Sequence, residues 1–132
     1  MEPFLAGMLP ENIFLKFLKP VESFYVVADS VQMEQVILNI VKNAAESIKG
    51  AGEIRIKLDH KKSGLLLEIS NNGEPIPEET SRQLFTPFFT TKPDGKGIGL
   101  TFVREVLNRH KADYSLKTDS DGITRFSIMF KK

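Results

Sequence analysis

Residues 33–59 read MEQVILNIVKNAAESIKGAGEIRIKLD, and a change of period inside this stretch decides the class of fold. Over its first half Met33, Val36, Ile37, Ile40, Val41, Ala44, Ala45 and Ile48 recur at i, i+3, i+4, i+7 spacing, which gathers them on one face of a helix. Gly50 and Gly52 stop that helix. From Glu53 to Asp59 the period drops to two. Ile54, Ile56 and Leu58 fall on one side and Glu53, Arg55, Lys57 and Asp59 on the other, as in a strand with one buried face. A helix and a strand that each have one apolar face, close in sequence, can bury those faces in one core.

Outward from this stretch, Asp29 and Gln32 read as an N-cap and its capping-box partner, so the helix begins at about Ser30. Residues 24–28, Phe-Tyr-Val-Val-Ala, have strand composition. The polar turn over residues 60–64 leads into a second strand at 65–70. Helical spacing returns over residues 100–109 through Val103, Val106 and Leu107. The chain then closes with a strand at 114–118, a Ser120-Asp121-Gly122 turn and a strand at 124–130 in which Phe126, Ile128 and Phe130 alternate. These runs predict an α+β fold: a two-layer α/β sandwich, its sheet mixed but mostly antiparallel, with the helices on one face. Strand order cannot be read from them. Pro3, Pro10 and Pro20 mark residues 1–20 as a lead-in segment, which leaves 21–132 as the folded domain.

Composition narrows the chemistry. At 132 residues, with 41% hydrophobic and 27% charged residues, the chain has matter for one core and no second one. Eighteen Lys and Arg against seventeen Asp and Glu leave a net charge of +1, without the one-signed field of a nucleic-acid binder, so an anionic ligand has to be held by local geometry. With no cysteine there is no disulfide framework, thiolate metal site or cysteine nucleophile, and two histidines fifty residues apart make a poor zinc site. A metal here would be a hard cation on oxygen ligands. The N-terminus has no signal-peptide pattern, and no apolar stretch is long enough to span a bilayer, so this stretch is expected to be cytoplasmic, with a membrane anchor elsewhere in a parent protein left open.

Three segments stand out as chemistry. Gln35, Asn39, Asn43 and Glu46 form a polar stripe on the first helix. Asparagine competes with the helix for backbone hydrogen bonds, so two of them one turn apart read either as a solvated edge or as an amide wall that could share Mg²⁺ with bound phosphates. Ser70-Asn71-Asn72-Gly73-Glu74-Pro75-Ile76-Pro77, after a strand, is turn chemistry. Gly95-Lys96-Gly97-Ile98-Gly99-Leu100 opens the second helix, where bare N–H groups and the helix dipole can receive a polyphosphate. It is neither a Walker A loop nor a dinucleotide fingerprint. Nearly thirty residues of sparse regular structure, from Asn71 to Gly99, point to function.

The order and spacing of these segments resemble the ATP-binding catalytic domain of sensor histidine kinases, in the superfamily that includes gyrase, mismatch-repair ATPases and heat-shock chaperone ATPases. Residues 35–46 resemble the N box, residues 71–76 the G1 box, Phe85-Thr86-Pro87-Phe88-Phe89-Thr90-Thr91-Lys92 the F box, and residues 95–100 the G2 box. The resemblance implies a Bergerat-type sandwich that binds ATP and Mg²⁺. Asn43 would supply an oxygen to the metal, with Asn39 beside it facing the phosphates. Asn71 and Thr124 would lie at adenine, with Gly73 and Ile76 at the edge of the base site. Thr90, Thr91 and Lys92 would belong to a lid of about residues 88–96, and Gly97, Ile98, Gly99 and Leu100 would meet the phosphates. The chain departs from the pattern at Asn71, where the family has Asp, at Pro75 in place of a second Gly, and at His110-Lys111-Ala112 in place of His-Gly-Gly.

The implied reaction is transfer of the γ-phosphoryl group of ATP to a histidine on a separate dimerisation domain of the same protein, upstream of residues 1–20, with a response regulator downstream. Neither His60 nor His110 sits in a phosphoacceptor setting. The departures at Asn71 and Pro75 motivate one alternative, a degenerate nucleotide-binding or interaction module without kinase activity. A stand-alone serine kinase of the anti-sigma type is another, against which the F box speaks.

Overall fold

A computed structural model of the chain describes residues 13–18, 30–77, 79 and 99–131. Five strands and two helices occur among them: β1 (Ile13–Leu18), α1 (Ser30–Glu46), β2 (Gly52–Lys61), β3 (Gly64–Asn71), α2 (Gly99–Arg109), β4 (Asp113–Thr118) and β5 (Thr124–Lys131). The strands form one sheet in the order β1-β2-β3-β5-β4, in which β1 runs parallel to β2 and every other pair is antiparallel.

The two periods of the sequence become the two layers. Along α1 the predicted apolar face delivers Val36, Ile40, Val41, Ala44 and, just beyond its end, Ile48 to the core. Alternation in the sheet delivers Ile54, Ile56, Leu67, Ile69, Phe126 and Ile128 to meet them, while Arg55, Lys57 and Arg125 stay on the exposed face. From α2, Val103, Val106 and Leu107 are fully buried between the helices and the sheet. Each such aliphatic side chain contributes roughly 1.5–3 kcal/mol on leaving water.

One expectation needs correction. Ile13–Leu18, assigned to a lead-in segment over residues 1–20, is a strand of the sheet, paired in register from Ile13 opposite Gly52 to Leu18 opposite Lys57. A strand in parallel pairing reads as a near-continuous apolar run, and Ile-Phe-Leu-Lys-Phe-Leu carries no clean alternation to reveal it. The strand expected at residues 24–28 and the N-cap at Asp29 lie outside the described residues.

Both hairpin turns are short and locally determined. Between β2 and β3 only Lys62 and Ser63 remain unpaired, so the strands run further into the predicted turn than their alternation indicates. Between β4 and β5, Asp119 Oδ1 accepts from the N–H groups of Asp121 and Ile123 at 2.9 and 3.1 Å, and Arg125 pairs with the other carboxylate oxygen. This Asx-type turn sets where β5 begins, and hence where Thr124 stands.

Candidate functional site

A cavity of about 60 Å³ opens between α1 and the ends of β3, β4 and β5. Its walls are apolar: Ile40 and Ala44 from α1, Ile69, Leu116 and Phe126 from the sheet, Ile76 from the loop after β3, and Leu100 from the first turn of α2. Three polar side chains enter it, those of Asn43, Asn71 and Thr124. No charged side chain among the described residues lines it.

Asn43 reaches the cavity because steps of four along α1 keep it on the polar stripe beside Ile40 and Ala44. Asn39, one turn earlier, does not line it. Its Nδ2 donates back to the Gln35 carbonyl at 2.9 Å, which leaves Oδ1 as the outward end of the amide.

Asn71 ends β3 and is only 8% exposed. Its Oδ1 accepts the Gly73 N–H at 2.9 Å, closing an Asx turn, and lies 3.1 Å from Ser47 Oγ. The Ser47 hydroxyl has one proton and also donates to the Ala44 carbonyl at 2.7 Å. The Gly73 N–H can only donate, so it fixes which end of the amide turns toward the loop. Nδ2 makes no hydrogen bond within the described residues. The acceptor oxygen of Asn71 is therefore engaged by the protein's own loop.

The loop after β3 is drawn against the end of α1. Glu74 N–H donates to the Ser47 carbonyl at 2.7 Å, and a Cβ placed on Gly73 would lie 2.4 Å from Ser47 Oγ and 2.7 Å from Ser47 O. Gly73 thus serves close backbone approach, and the backbone it approaches is the protein's own. Asn72 ties the same loop to β2 by accepting the Glu53 N–H at 2.8 Å.

Thr124 is 3% exposed and faces Thr118 across the β4–β5 pair. Their hydroxyl oxygens stand 2.7 Å apart, and Thr118 Oγ1 accepts the Ile76 N–H at 2.8 Å. One threonine pair thereby holds both the closing strand and the loop that carries Ile76.

Of the residues singled out in the sequence, the structure brings Asn43, Asn71, Ile76, Leu100 and Thr124 together, with Gly73 supporting Asn71 from outside. Gly99 begins α2 beside Leu100. Thr90, Thr91, Lys92, Gly97 and Ile98 lie outside the described residues, as do Phe88, Phe89 and Lys96. Ser47 and Thr118 were missed. Ser47 extends the four-residue series 35, 39, 43 by one more step, which was a usable signal. Thr118 gives none, because its role depends on a pairing register.

Residues 28–132 match the family of histidine kinase-, DNA gyrase B- and HSP90-like ATPases. The chain belongs to this family. Within it, the catalytic domain of the histidine kinase ThkA, in a nucleotide-free form, superposes with a TM-score of 0.84 at 31% identity, covering 99% of this chain and 84% of that one. Sporulation kinase A of Bacillus subtilis is 30% identical over 121 residues, covering 92% of this chain and 20% of that protein. The C4-dicarboxylate transport sensor protein DctB of Rhizobium meliloti is 30% identical over 115 residues, 86% of this chain and 18% of that protein. This histidine kinase-type catalytic domain thus spans about a fifth of the length of the curated relatives it matches. Among its described residues no helix is long and apolar enough to cross a membrane, and no group of three or more His, Cys, Asp or Glu could hold a metal.

Proposed function

We propose that this domain binds Mg²⁺ and ATP in the cavity beside α1, and passes the γ-phosphoryl group to a histidine on a separate dimerisation domain of a sensor kinase, from which a response regulator receives it. One observation carries this reading: Asn43, Asn71 and Thr124, far apart in sequence, converge on an apolar slot. The slot suits a planar base, and α2 begins beside it at Gly99 and Leu100, where helix-end N–H groups suit phosphates.

Mg²⁺ keeps most of its shell as water and phosphate oxygen and takes few protein ligands. The single amide at Asn43, with no cluster of carboxylates among the described residues, fits that mode of binding. Asn43 would hold the ion, and the outward Oδ1 of Asn39 would suit its hydration shell better than a phosphate oxygen. When bound, the ion supplies charge neutralisation across the phosphates. The chain's own residues supply position: the cavity fixes the base, and the start of α2 receives the phosphates. Phosphoryl transfer needs little more from a protein than positioning and electrostatics.

The reading is tested by calorimetry on the purified chain with nucleotide and Mg²⁺. A dissociation constant between micromolar and millimolar is expected, about −4 to −8 kcal/mol. No binding at millimolar nucleotide would refute it.

A further inference from the structure

We propose that the free edge of β4 is an interaction surface for a second copy of this domain, the two β4 strands pairing antiparallel about a twofold axis at Ser115 and joining their sheets into one.

β4 is the outermost strand, paired with β5 on one side and with no described residue on the other. The turn that follows shows which of its backbone groups are free. Asp119 N–H donates to the Ile123 carbonyl at 2.9 Å. Counting back by twos from that pair, Lys117, Ser115 and Asp113 exchange hydrogen bonds with Arg125, Ser127 and Met129, so the N–H and C=O groups of Tyr114 and Leu116 point out to the free edge. Such an edge is a template for another strand.

Side chains decide which strand. On the open face of the sheet Asp113, Ser115 and Lys117 are all exposed, an acid and a base equidistant from one serine. Antiparallel pairing about Ser115 sets Asp113 of each copy opposite Lys117 of the other, while Tyr114 meets Leu116 on the helix-bearing face, where each is only half-buried within one chain. Their outward backbone groups then bond in both directions. Lys117 gains most from this pairing. In its own sheet it stands directly opposite Arg125, a like charge, and no acidic side chain pairs with it among the described residues, whereas Arg125 is held by Asp119. Asp113 pairs with Lys131 at 3.4 Å, yet its side chain is 72% exposed and has room for a second cation. An axis at Lys117 or at Asp113 would instead set like charges opposite each other, so the charges select the register.

The chain has no cysteine, so Ser115→Cys introduces one thiol whose homodisulfide reports the axis. Residue 115 would meet its copy as a non-hydrogen-bonded pair, with Cα atoms about 4.5 Å apart and within disulfide reach. Under a mild thiol oxidant at about 0.1 mM chain, Ser115→Cys should crosslink about tenfold faster than Ser120→Cys, an exposed serine in the turn beyond the strand. One short strand from each copy makes a small interface, so sedimentation equilibrium of the unmodified chain should give a dissociation constant on the order of 0.1–1 mM. Asp113→Lys and Lys117→Asp should each weaken association by about tenfold or more, and the two together should restore it to within about threefold of the parent. Equal crosslinking rates, a chain that stays single up to about 1 mM, single changes without effect, or a double exchange that fails to restore what each single change loses would overturn the proposal.

Discussion

Replacing Gly73 by alanine tests the joint on which the site is built. The added Cβ would meet Ser47 Oγ at 2.4 Å, Ser47 O at 2.7 Å and Ser47 C at 2.8 Å. The hydroxyl can rotate away, but the carbonyl is backbone at the end of α1, so the loop itself has to lift. Lifting it strains two hydrogen bonds, Glu74 N–H to the Ser47 carbonyl at 2.7 Å and Gly73 N–H to Asn71 Oδ1 at 2.9 Å. Each is worth about 1 kcal/mol, and overpacking adds about 1–2 kcal/mol. The narrower unfolded ensemble of alanine returns about 0.4–1 kcal/mol. The net loss is about 2–3.6 kcal/mol, which for a chain of this size lowers Tm by about 7–13 °C. Gly50→Ala is the internal control: nothing lies within 4 Å of its Cβ, and its φ of 80° limits the penalty to about 1 kcal/mol. Thermal unfolding by circular dichroism, with nucleotide titration of both variants, reads the difference. Gly73→Ala melting within 2 °C of the parent, or binding nucleotide equally well, would refute the account of the loop as seated on α1.

Three further outcomes follow from single side chains. Asn43→Ala should abolish most of the gain in nucleotide affinity that Mg²⁺ confers while leaving Tm nearly unchanged, checked by calorimetry with and without the ion. Thr118→Val should cost about 1–3 kcal/mol by removing the acceptor of the Ile76 N–H, and should weaken nucleotide binding through a residue that does not line the cavity; urea unfolding and the same titration measure the two effects. Lys111→Gly should stabilise by about 0.5–1 kcal/mol, because Lys111 holds a left-handed φ of 56° just past α2, where Ala112 N–H closes back onto the Leu107 carbonyl, and glycine takes that conformation without strain; a raised urea midpoint at constant slope is the readout.

What could be read in the sequence divides by the range of the interaction. The faces of α1 and β2 were legible because burial of Val36, Ile40, Ile54 and Ile56 repeats at the period of each element. The position of Asn43 followed from the same helical arithmetic. β1 was not legible, since its partner lies some forty residues away and its apolar run has no alternation. Nor was the insertion of β5 between β3 and β4, which puts Thr124 opposite Asn71 in register and so closes the site. The polarity of Asn71 was hidden for another reason. A residue type gives the groups available, whereas which end is spent depends on a neighbour two residues on, here the Gly73 N–H.

The placement of the two histidines governs what the isolated domain can do. His60 pairs with Leu65 near the β2–β3 turn, and Asn71 stands six residues further along β3. At about 3.4 Å per residue that is roughly 20 Å, the length of the sheet. His110 follows the last turn of α2, whose first turn carries Leu100 at the cavity. Ten residues at about 1.5 Å each put it roughly 15 Å from the end of the helix that would meet phosphate. Its Nδ1 lies 2.8 Å from the Val106 carbonyl, which can only accept, so that nitrogen carries a proton and is committed to the helix end. In-line attack needs an imidazole nitrogen about 3–3.5 Å from the γ-phosphorus. The purified chain, given Mg²⁺ and γ-labelled nucleotide, should therefore bind it and form no phosphohistidine. Adding the histidine-bearing helical hairpin of the parent kinase as a separate chain should produce acid-labile, base-stable label, slowly, because the two parts then meet by diffusion instead of at the millimolar-scale concentration a tether provides. Acid-labile label on the isolated chain would refute this assignment of roles, since it would require one of these two histidines to reach a phosphate from the far end of its own element.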